Sequence, residues 1–191
     1  PNLAQVPSDE RFRSLFLPSP GMVAVGADLS GIELRLLAHY LARYDGGKYA
    51  NIILNGDIHQ ENADKIGITR KQVKTVTYAF LYGAGDKKIG TSFDGSLGED
   101  QAKRKGKEIR AAYVDAIEGL SDLLKAVKRA AERGYVRGLD GRRIGVDQRH
   151  KSLNYLIQGS SATIAKRWMV LANCVASAHD NTHQLAFIHD E

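Results

Sequence analysis

The sequence predicts an α+β fold: an antiparallel sheet with packed helices, drawn from both ends of the chain and interrupted by a helical subdomain. Three observations carry this reading. Met22–Ala27 is a short, unbroken apolar run of the kind that forms a buried strand. Residues from about 30 to 133 follow helical rather than alternating periodicity. After Gly134 the pattern switches to a hairpin signal around Asp140-Gly141, and a second apolar run follows from Gln184 to His189. With 191 residues, 43% of them hydrophobic, the chain can bury a core.

Residues 1–20 contain all four prolines and read as an irregular entry, with a short extended piece at Phe12–Leu17. The strand Met22–Ala27 ends on Asp28. Ser30 and Glu33 have capping-box spacing and open a helix to about Arg43, which turns Ile32, Leu36, Leu37, Tyr40 and Leu41 inward. Gly46 and Gly47 break it. A short helix starts near Asp57, with Gln60 at capping distance, and presents His59. Thr69 and Gln72 repeat the capping box at the head of a helix over 70–82, which Gly83 and Gly85 stop. A helical turn to about Ser92 and the loop FDGSLGED precede two charged amphipathic helices, 99–117 and 119–133. Within the first, KRKGKEIR at 103–110 is the most basic run of the chain, equally readable as a solvated helix face or a nucleic-acid contact. The hairpin over 135–146 leads into a long helix from about Lys151 to Ala178. Its small residues Gly159, Ser160, Ser161, Ala162 and Ala165 allow close packing, and Asn154 and Gln158, one turn apart, project their amides in one direction. A last strand, Gln184–His189, delivers Asp190 and Glu191.

Composition narrows the class. The net charge of +5 and a pI near 9.3 fit a polyanionic partner. A single cysteine, Cys174, excludes an internal disulfide and fits a reducing compartment. No apolar run approaches the roughly 20 residues of a membrane span, and no signal-peptide pattern is present, so no membrane partner is expected. The chain starts at Pro1 without a methionine and reads as an excerpt of a longer protein.

Chemistry concentrates in the helix over 70–82. Arg70, Lys74 and Tyr78 recur every four residues and drift only about 40° per step, so two cations and a phenol share one face over about 12 Å. That length suits a nucleoside triphosphate lying along the helix, phosphates at the Arg/Lys end and sugar and base near the tyrosine, although an R-x-x-x-K pair taken alone reads first as a solvated basic face. Asp28 and Asp190 each terminate an apolar run. Carried side by side at one sheet edge, two carboxylates repel unless divalent cations lie between them, and all-oxygen ligands favour Mg²⁺ over Zn²⁺. Two Mg²⁺ ions beside an Arg/Lys helix are equipment for phosphoryl transfer. Taken from spacing alone, strand-end aspartates read equally well as turn residues.

Seven motifs, in order, resemble those of family A DNA polymerases: PNLAQVP, DLSGIELR at 28–35, DIH at 57–59, R-x-x-x-K-x-x-x-Y-x-x-x-Y-G at 70–83, LDGRR at 139–143, N-x-x-x-Q-G at 154–159 and HDE at 189–191. The stretches ARYDGGKYANIILNGDIH and YAFLYGAGDKKIG look most like the replicative polymerases of short-tailed bacteriophages. The resemblance implies palm (1–44), fingers (45–133) and palm again (134–191). It implies template-directed addition of dNTPs to a primer 3′-OH with pyrophosphate release, in the cytoplasm of a host cell for a phage enzyme. Asp28, Asp190 and the Leu29 carbonyl would bind two Mg²⁺ ions, with Glu191 an auxiliary acid. Arg70, Lys74 and His59 would hold the triphosphate, Lys74 also protonating the leaving pyrophosphate. Glu33 would close off the 2′ side of the sugar, and Tyr82 would stack near the template base or sugar. A tyrosine at 78 would admit 2′,3′-dideoxynucleotides. Arg13, Arg142, Asn154 and Gln158 would touch the primer-template DNA, and a processivity factor would dock through regions outside this sequence. His150 stands where bacterial relatives carry arginine, and Gly31 where many carry a polar residue. Two alternatives stay open: a single-subunit RNA polymerase, against which Glu33 and Tyr78 argue, and a nucleic-acid-binding fragment without activity of its own.

Overall fold

The computed structural model describes residues 6, 7 and 9–188. Its described elements are α1 (Glu10–Arg13), α2 (Ile32–Asp45), α3 (Lys48–Asn55), α4 (Ile58–Ile66), α5 (Arg70–Leu81), α6 (Asp86–Phe93), α7 (Glu99–Ala116), α8 (Leu120–Ala130), β1 (Tyr135–Arg137), β2 (Arg143–Gly145) and α9 (Ser152–Ala176). Short 3₁₀ turns precede β1 and α9. The α+β class holds as a mostly helical chain with one small antiparallel sheet among the described residues. Two compact units divide it: Pro1–Ile32 with Ala162–Glu191, and Glu33–Ser161.

In the larger unit, helix starts follow local chemistry. Thr69 Oγ1 accepts from Gln72 N (3.3 Å) and Gln72 Oε1 accepts from Thr69 N (3.0 Å), so the expected capping box heads α5. Asp45 accepts from Gly47 N and Tyr49 N, both at 2.8 Å, and restarts the chain as α3 immediately after α2. The sequence reading missed α3 because it took Gly46-Gly47 as a simple break. The core gathers Leu37, Leu41, Val73, Val76, Leu81, Ile89, Tyr113 and Leu120, all fully buried. Phe80 packs on Tyr113 with ring centroids 5.1 Å apart.

The helices α6 and α7 meet backbone to backbone. A Cβ on Gly90 would lie 1.9 Å from the Ala102 carbonyl oxygen, and one on Gly106 1.8 Å from that of Asp86. The KRKGKEIR run therefore has a packed face as well as a wet one. Its Arg110 pairs with Asp86 at 2.6 Å and also donates to the Ala84 carbonyl, and Lys105 lies 3.3 Å from Glu108. The expected hairpin forms, with Val136 opposite Ile144. Val136 is buried, and Ile144 reaches α9 at Gly159, where a Cβ would meet its Cδ1 at 2.5 Å. Close packing at Gly159 was legible from its size alone.

Three expectations fail in the smaller unit. Residues 12–17 form no strand: α1, capped by Asp9 accepting from Arg11 N at 2.9 Å, takes in Phe12 and Arg13, and a turn at Ser14 and Leu15 follows. Met22–Ala27 lies outside any strand, with Val23 82% and Val25 87% exposed. Gln184–Ile188 likewise forms no ladder, although Phe187 packs edge-on against Trp168 at 6.1 Å. An apolar run becomes a strand only when a ladder partner takes up its N–H and C=O groups. A hairpin brings that partner across a short loop, here residues 138–142, whereas these runs need one from far along the chain. At its edge the expected helix forms: α2 opens at Ile32, behind Gly31 (φ +60°), and runs to Asp45.

Candidate nucleotide and nucleic-acid site

The larger unit brings five of the sequence-predicted residues, Arg70, His59, Tyr78, Tyr82 and Glu33, into one continuous set of contacts through Asp57. It starts at Asp57, the N-cap of α4, whose Oδ1 accepts from His59 N (3.0 Å) and Gln60 N (3.1 Å). The Gln60 side chain turns away to Asp64 (2.8 Å), so the reciprocal half of a capping box is absent here. The free oxygen of the cap, Oδ2, accepts from Arg70 Nε at 2.7 Å and joins the heads of α4 and α5. The Arg70 guanidinium is the largest influence holding the Asp57 carboxyl below its usual range. The sequence reading named Asp57 as a helix start and as part of the DIH motif, without the Arg70 contact. Its signal, a cap thirteen positions before an arginine, becomes visible only once α4 and α5 are side by side.

His59 follows on α4 and is 8% exposed, with Nδ1 buried and unpartnered among the described residues. Burial lowers its pKa most; Asp57 opposes that, and Arg70 and Lys74 add to it. The imidazole is thereby kept neutral at pH 7 and available to hydrogen-bond an arriving anion. Its ring centre lies 6.2 Å from that of Tyr78, which in turn stacks on Tyr82 at 6.4 Å with 25° between planes. Tyr82 Oη donates to Glu33 Oε1 at 2.8 Å. Glu33 is 3% exposed, so this carboxylate is held at the inner end of the tyrosine pair. Lys74 stands exposed on the same α5 face, with no ion-pair partner among the described residues. A cation, a clamped guanidinium and a neutral imidazole thus stand at one end of a tyrosine ladder that ends on a buried acid.

The C-terminal end of α5 is tied to α9. Asn154 Nδ2 donates to the Leu81 carbonyl at 2.8 Å. Gly83 (φ +72°) turns beneath it, where a Cβ would already touch Asn154 Cβ at 3.4 Å. One turn further, Gln158 Nε2 is buried with no partner among the described residues. Tyr40 Oη and Ser160 Oγ are 2.7 Å apart. Arg142, on the hairpin, is paired with Asp140 at 2.6 Å. His150 is exposed in the turn before α9.

Arg13, Asp28 and Leu29 belong to the smaller unit. Arg13 and Asp28 are exposed, and the Leu29 carbonyl accepts from Ile32 N at 3.2 Å. Asp190 and Glu191 lie outside the described residues. The described residues contain no group of three or more His, Cys, Asp or Glu side chains arranged to hold a metal. No described helix is long and apolar enough to cross a membrane.

Comparison with known proteins gives the family of the chain. The model of DNA polymerase family A matches residues 1–191. The chain is 34% identical to a DNA-directed DNA polymerase of Enterobacteria phage T3 and 33% identical to one of Escherichia phage T7, in both cases over 100% of this chain and 31% of the relative. Among solved structures it resembles the POL domain of Pol1 from M. smegmatis, in a complex with DNA primer-template and dNTP. The TM-score is 0.74 at 26% identity, over 100% of this chain and 37% of that one. The chain therefore spans about a third of the length of these relatives. With every position matched by one family model, the chain belongs to DNA polymerase family A.

Proposed function

We propose that this chain forms the nucleotide-selecting face and part of the catalytic centre of a DNA-directed DNA polymerase. It would add dNTPs to a primer 3′-OH on a DNA template and release pyrophosphate. The observation that carries the reading is the contact series Arg70–Asp57–His59–Tyr78–Tyr82–Glu33 beside the exposed Lys74. It supplies what a deoxynucleoside triphosphate requires, in the order the molecule presents its parts. Arg70, fixed in orientation by Asp57, and Lys74 bind phosphate oxygens, and the neutral His59 adds a hydrogen bond. Lys74 is placed to pass a proton to the departing pyrophosphate. Tyr78 and Tyr82 give the sugar and base a stacking surface, and Glu33 fills the space a 2′-hydroxyl would need.

Two Mg²⁺ ions are part of this reading. Asp28, exposed and without a hydrogen-bond partner among the described residues, offers a carboxylate, and with the Leu29 carbonyl, Asp190 and the auxiliary Glu191 the donors are all oxygen, which suits Mg²⁺. When bound, the ions lower the pKa of the primer hydroxyl and stabilise charge on the phosphoryl group in flight. In this scheme Gln158 and Asn154 contact the minor-groove side of the primer-template, where acceptor positions are shared among base pairs, while Arg13 and Arg142 neutralise its backbone. Residues 1–44 and 134–191 act as palm and 45–133 as fingers. The larger protein would work in a host-cell cytoplasm with a processivity factor bound elsewhere.

The test is primer extension by the full chain with Mg²⁺ and dNTPs, comparing wild type with Asp28→Ala and Asp190→Ala. Extension by wild type and its loss in both variants, with circular dichroism unchanged, supports the reading. Full activity in either variant refutes the metal assignment, and no extension by wild type refutes the proposal.

A further inference from the structure

The hairpin β1–β2 has one face in the core and one face that no described element covers. Val136 and Ile144 point inward; alternation then puts Tyr135, Arg137, Arg143 and Gly145 on the other face. The register sets Arg137 directly opposite Arg143. Like charges at directly opposed positions destabilise a ladder. Arg143 leans diagonally over the Tyr135 ring, its guanidinium carbon 4.7 Å from the ring centre, and Arg133 covers the same ring at 5.2 Å. Tyr135 faces Gly145 across the ladder, so no side chain from the partner strand displaces either cation.

None of these three arginines is paired with a carboxylate among the described residues, unlike the neighbouring Arg142. Two of them donate to backbone carbonyls instead: Arg133 Nε to Ala130 (3.3 Å) and Arg137 Nη1 to Gly141 (3.0 Å). A solvated basic face does not need an aromatic holding two guanidinium groups in place. A partner with repeating negative charge does, because pre-oriented arginines lose less freedom on binding than flexible ones.

We infer that the outer face of the hairpin is a phosphate clamp for a nucleic-acid backbone, in which Tyr135 positions Arg133 and Arg143 while Arg137 extends the charged row. The clamp is distinct from the α4–α5 nucleotide face and from Arg142. It deepens the polymerase reading by naming a further contact with the DNA backbone, and it rests on that reading only for which nucleic acid is bound. Such contacts are insensitive to sequence and strongly dependent on salt.

The experiment measures binding of a dye-labelled primer-template duplex to the full chain by fluorescence anisotropy, between 50 and 200 mM salt and without dNTP. Each phosphate contact contributes about 0.9 to the slope of log K against log salt. The double variant Arg133→Gln/Arg143→Gln should therefore flatten the slope by about 2. Wild-type affinity would then fall roughly tenfold more than the variant's across this range. Tyr135→Leu keeps apolar bulk but removes the ring face, and should flatten the slope by about 1 or more. Tyr135→Phe should leave it unchanged, a distinction that loss of packing alone does not produce. An unchanged slope in the double variant, with thermal melting intact, overturns the clamp, as does stronger competition by polyglutamate than by unlabelled duplex. Primer extension run in parallel separates the two claims. A wild type that extends primers while its hairpin variants keep the full slope leaves the polymerase reading standing and removes only the clamp.

Discussion

Tyr82 Oη donates to Glu33 Oε1 at 2.8 Å across 49 positions of sequence, joining the C-cap of α5 to the first turn of α2. The bond fixes a buried acid where the sugar of a nucleotide on the α5 face would end. Tyr82→Phe removes the donor and leaves the carboxylate with one partner fewer. Stability should fall by about 1–2 kcal/mol in urea unfolding, a hydrogen bond to a charged group being worth somewhat more than a neutral one. The same variant should admit ribonucleotides more readily, read as a lower ratio of dNTP to NTP incorporation. An unchanged ratio would mean that Glu33 keeps its position without the phenol.

Tyr78 sits between His59 and Tyr82 with a ring on each side. The polymerase reading gives its hydroxyl the hydrogen bond that a missing 3′-hydroxyl would otherwise make. Wild type should therefore incorporate 2′,3′-dideoxynucleotides nearly as well as dNTPs. Tyr78→Phe should raise discrimination by orders of magnitude with little change in melting temperature. Equal incorporation ratios in the two proteins would remove this role from Tyr78.

His59 makes stability depend on pH with a definite sign. Its folded pKa lies below the ordinary value because burial opposes the charged ring. A base whose folded pKa is depressed contributes stability that is present above its unfolded pKa of 6.5. That stability is lost as pH falls through the folded value, because the unfolded chain binds the proton first. Unfolding free energy should thus decline from pH 7 towards 5. His59→Gln should flatten that part of the profile, and the same slope in wild type and variant would contradict the assignment. Binding of a triphosphate, an opposite charge, should raise the His59 pKa, which NMR titration of the imidazole can follow.

The α6–α7 contact predicts a large effect far from any catalytic group. A Cβ at Gly90 or Gly106 would overlap backbone that cannot move aside cheaply. Gly90→Ala and Gly106→Ala should each destabilise by about 3 kcal/mol or more, at the upper end for overpacking. Gly85→Ala, with open space at its Cβ, is the control and should cost far less.

What the sequence revealed and what it hid divide along the distance between partners. The Thr69–Gln72 cap, the Arg70–Lys74–Tyr78 face and the Asp140-Gly141 hairpin all rest on contacts within a few residues, where spacing alone determines geometry. Asp57 gripping Arg70 and Glu33 meeting Tyr82 involve partners on different helices, and no periodicity points to them; spacing made Glu33 a capping residue, and only motif resemblance gave it a place beside the sugar. The apolar runs at 22–27 and 184–188 mislead for a related reason. Hydrophobicity shows that a segment can be buried, whereas a strand also requires a neighbour. At α1, one aspartate at a cap outweighed the extended character of the residues that follow.

The central claim is that the α4–α5 face binds the incoming nucleotide, and single-nucleotide incorporation kinetics test it most directly. The full chain would be compared with Lys74→Ala on that face and Lys103→Ala on α7, two substitutions that remove the same charge from exposed helical positions. Lys74→Ala should lower kcat/KM for dNTP by about 10² to 10⁴, the range for losing a positioned acid. Lys103→Ala should stay within about twofold of wild type, as a distant, solvent-screened charge does. Equal, small losses in both would show that Lys74 acts only through bulk charge and that the nucleotide lies elsewhere.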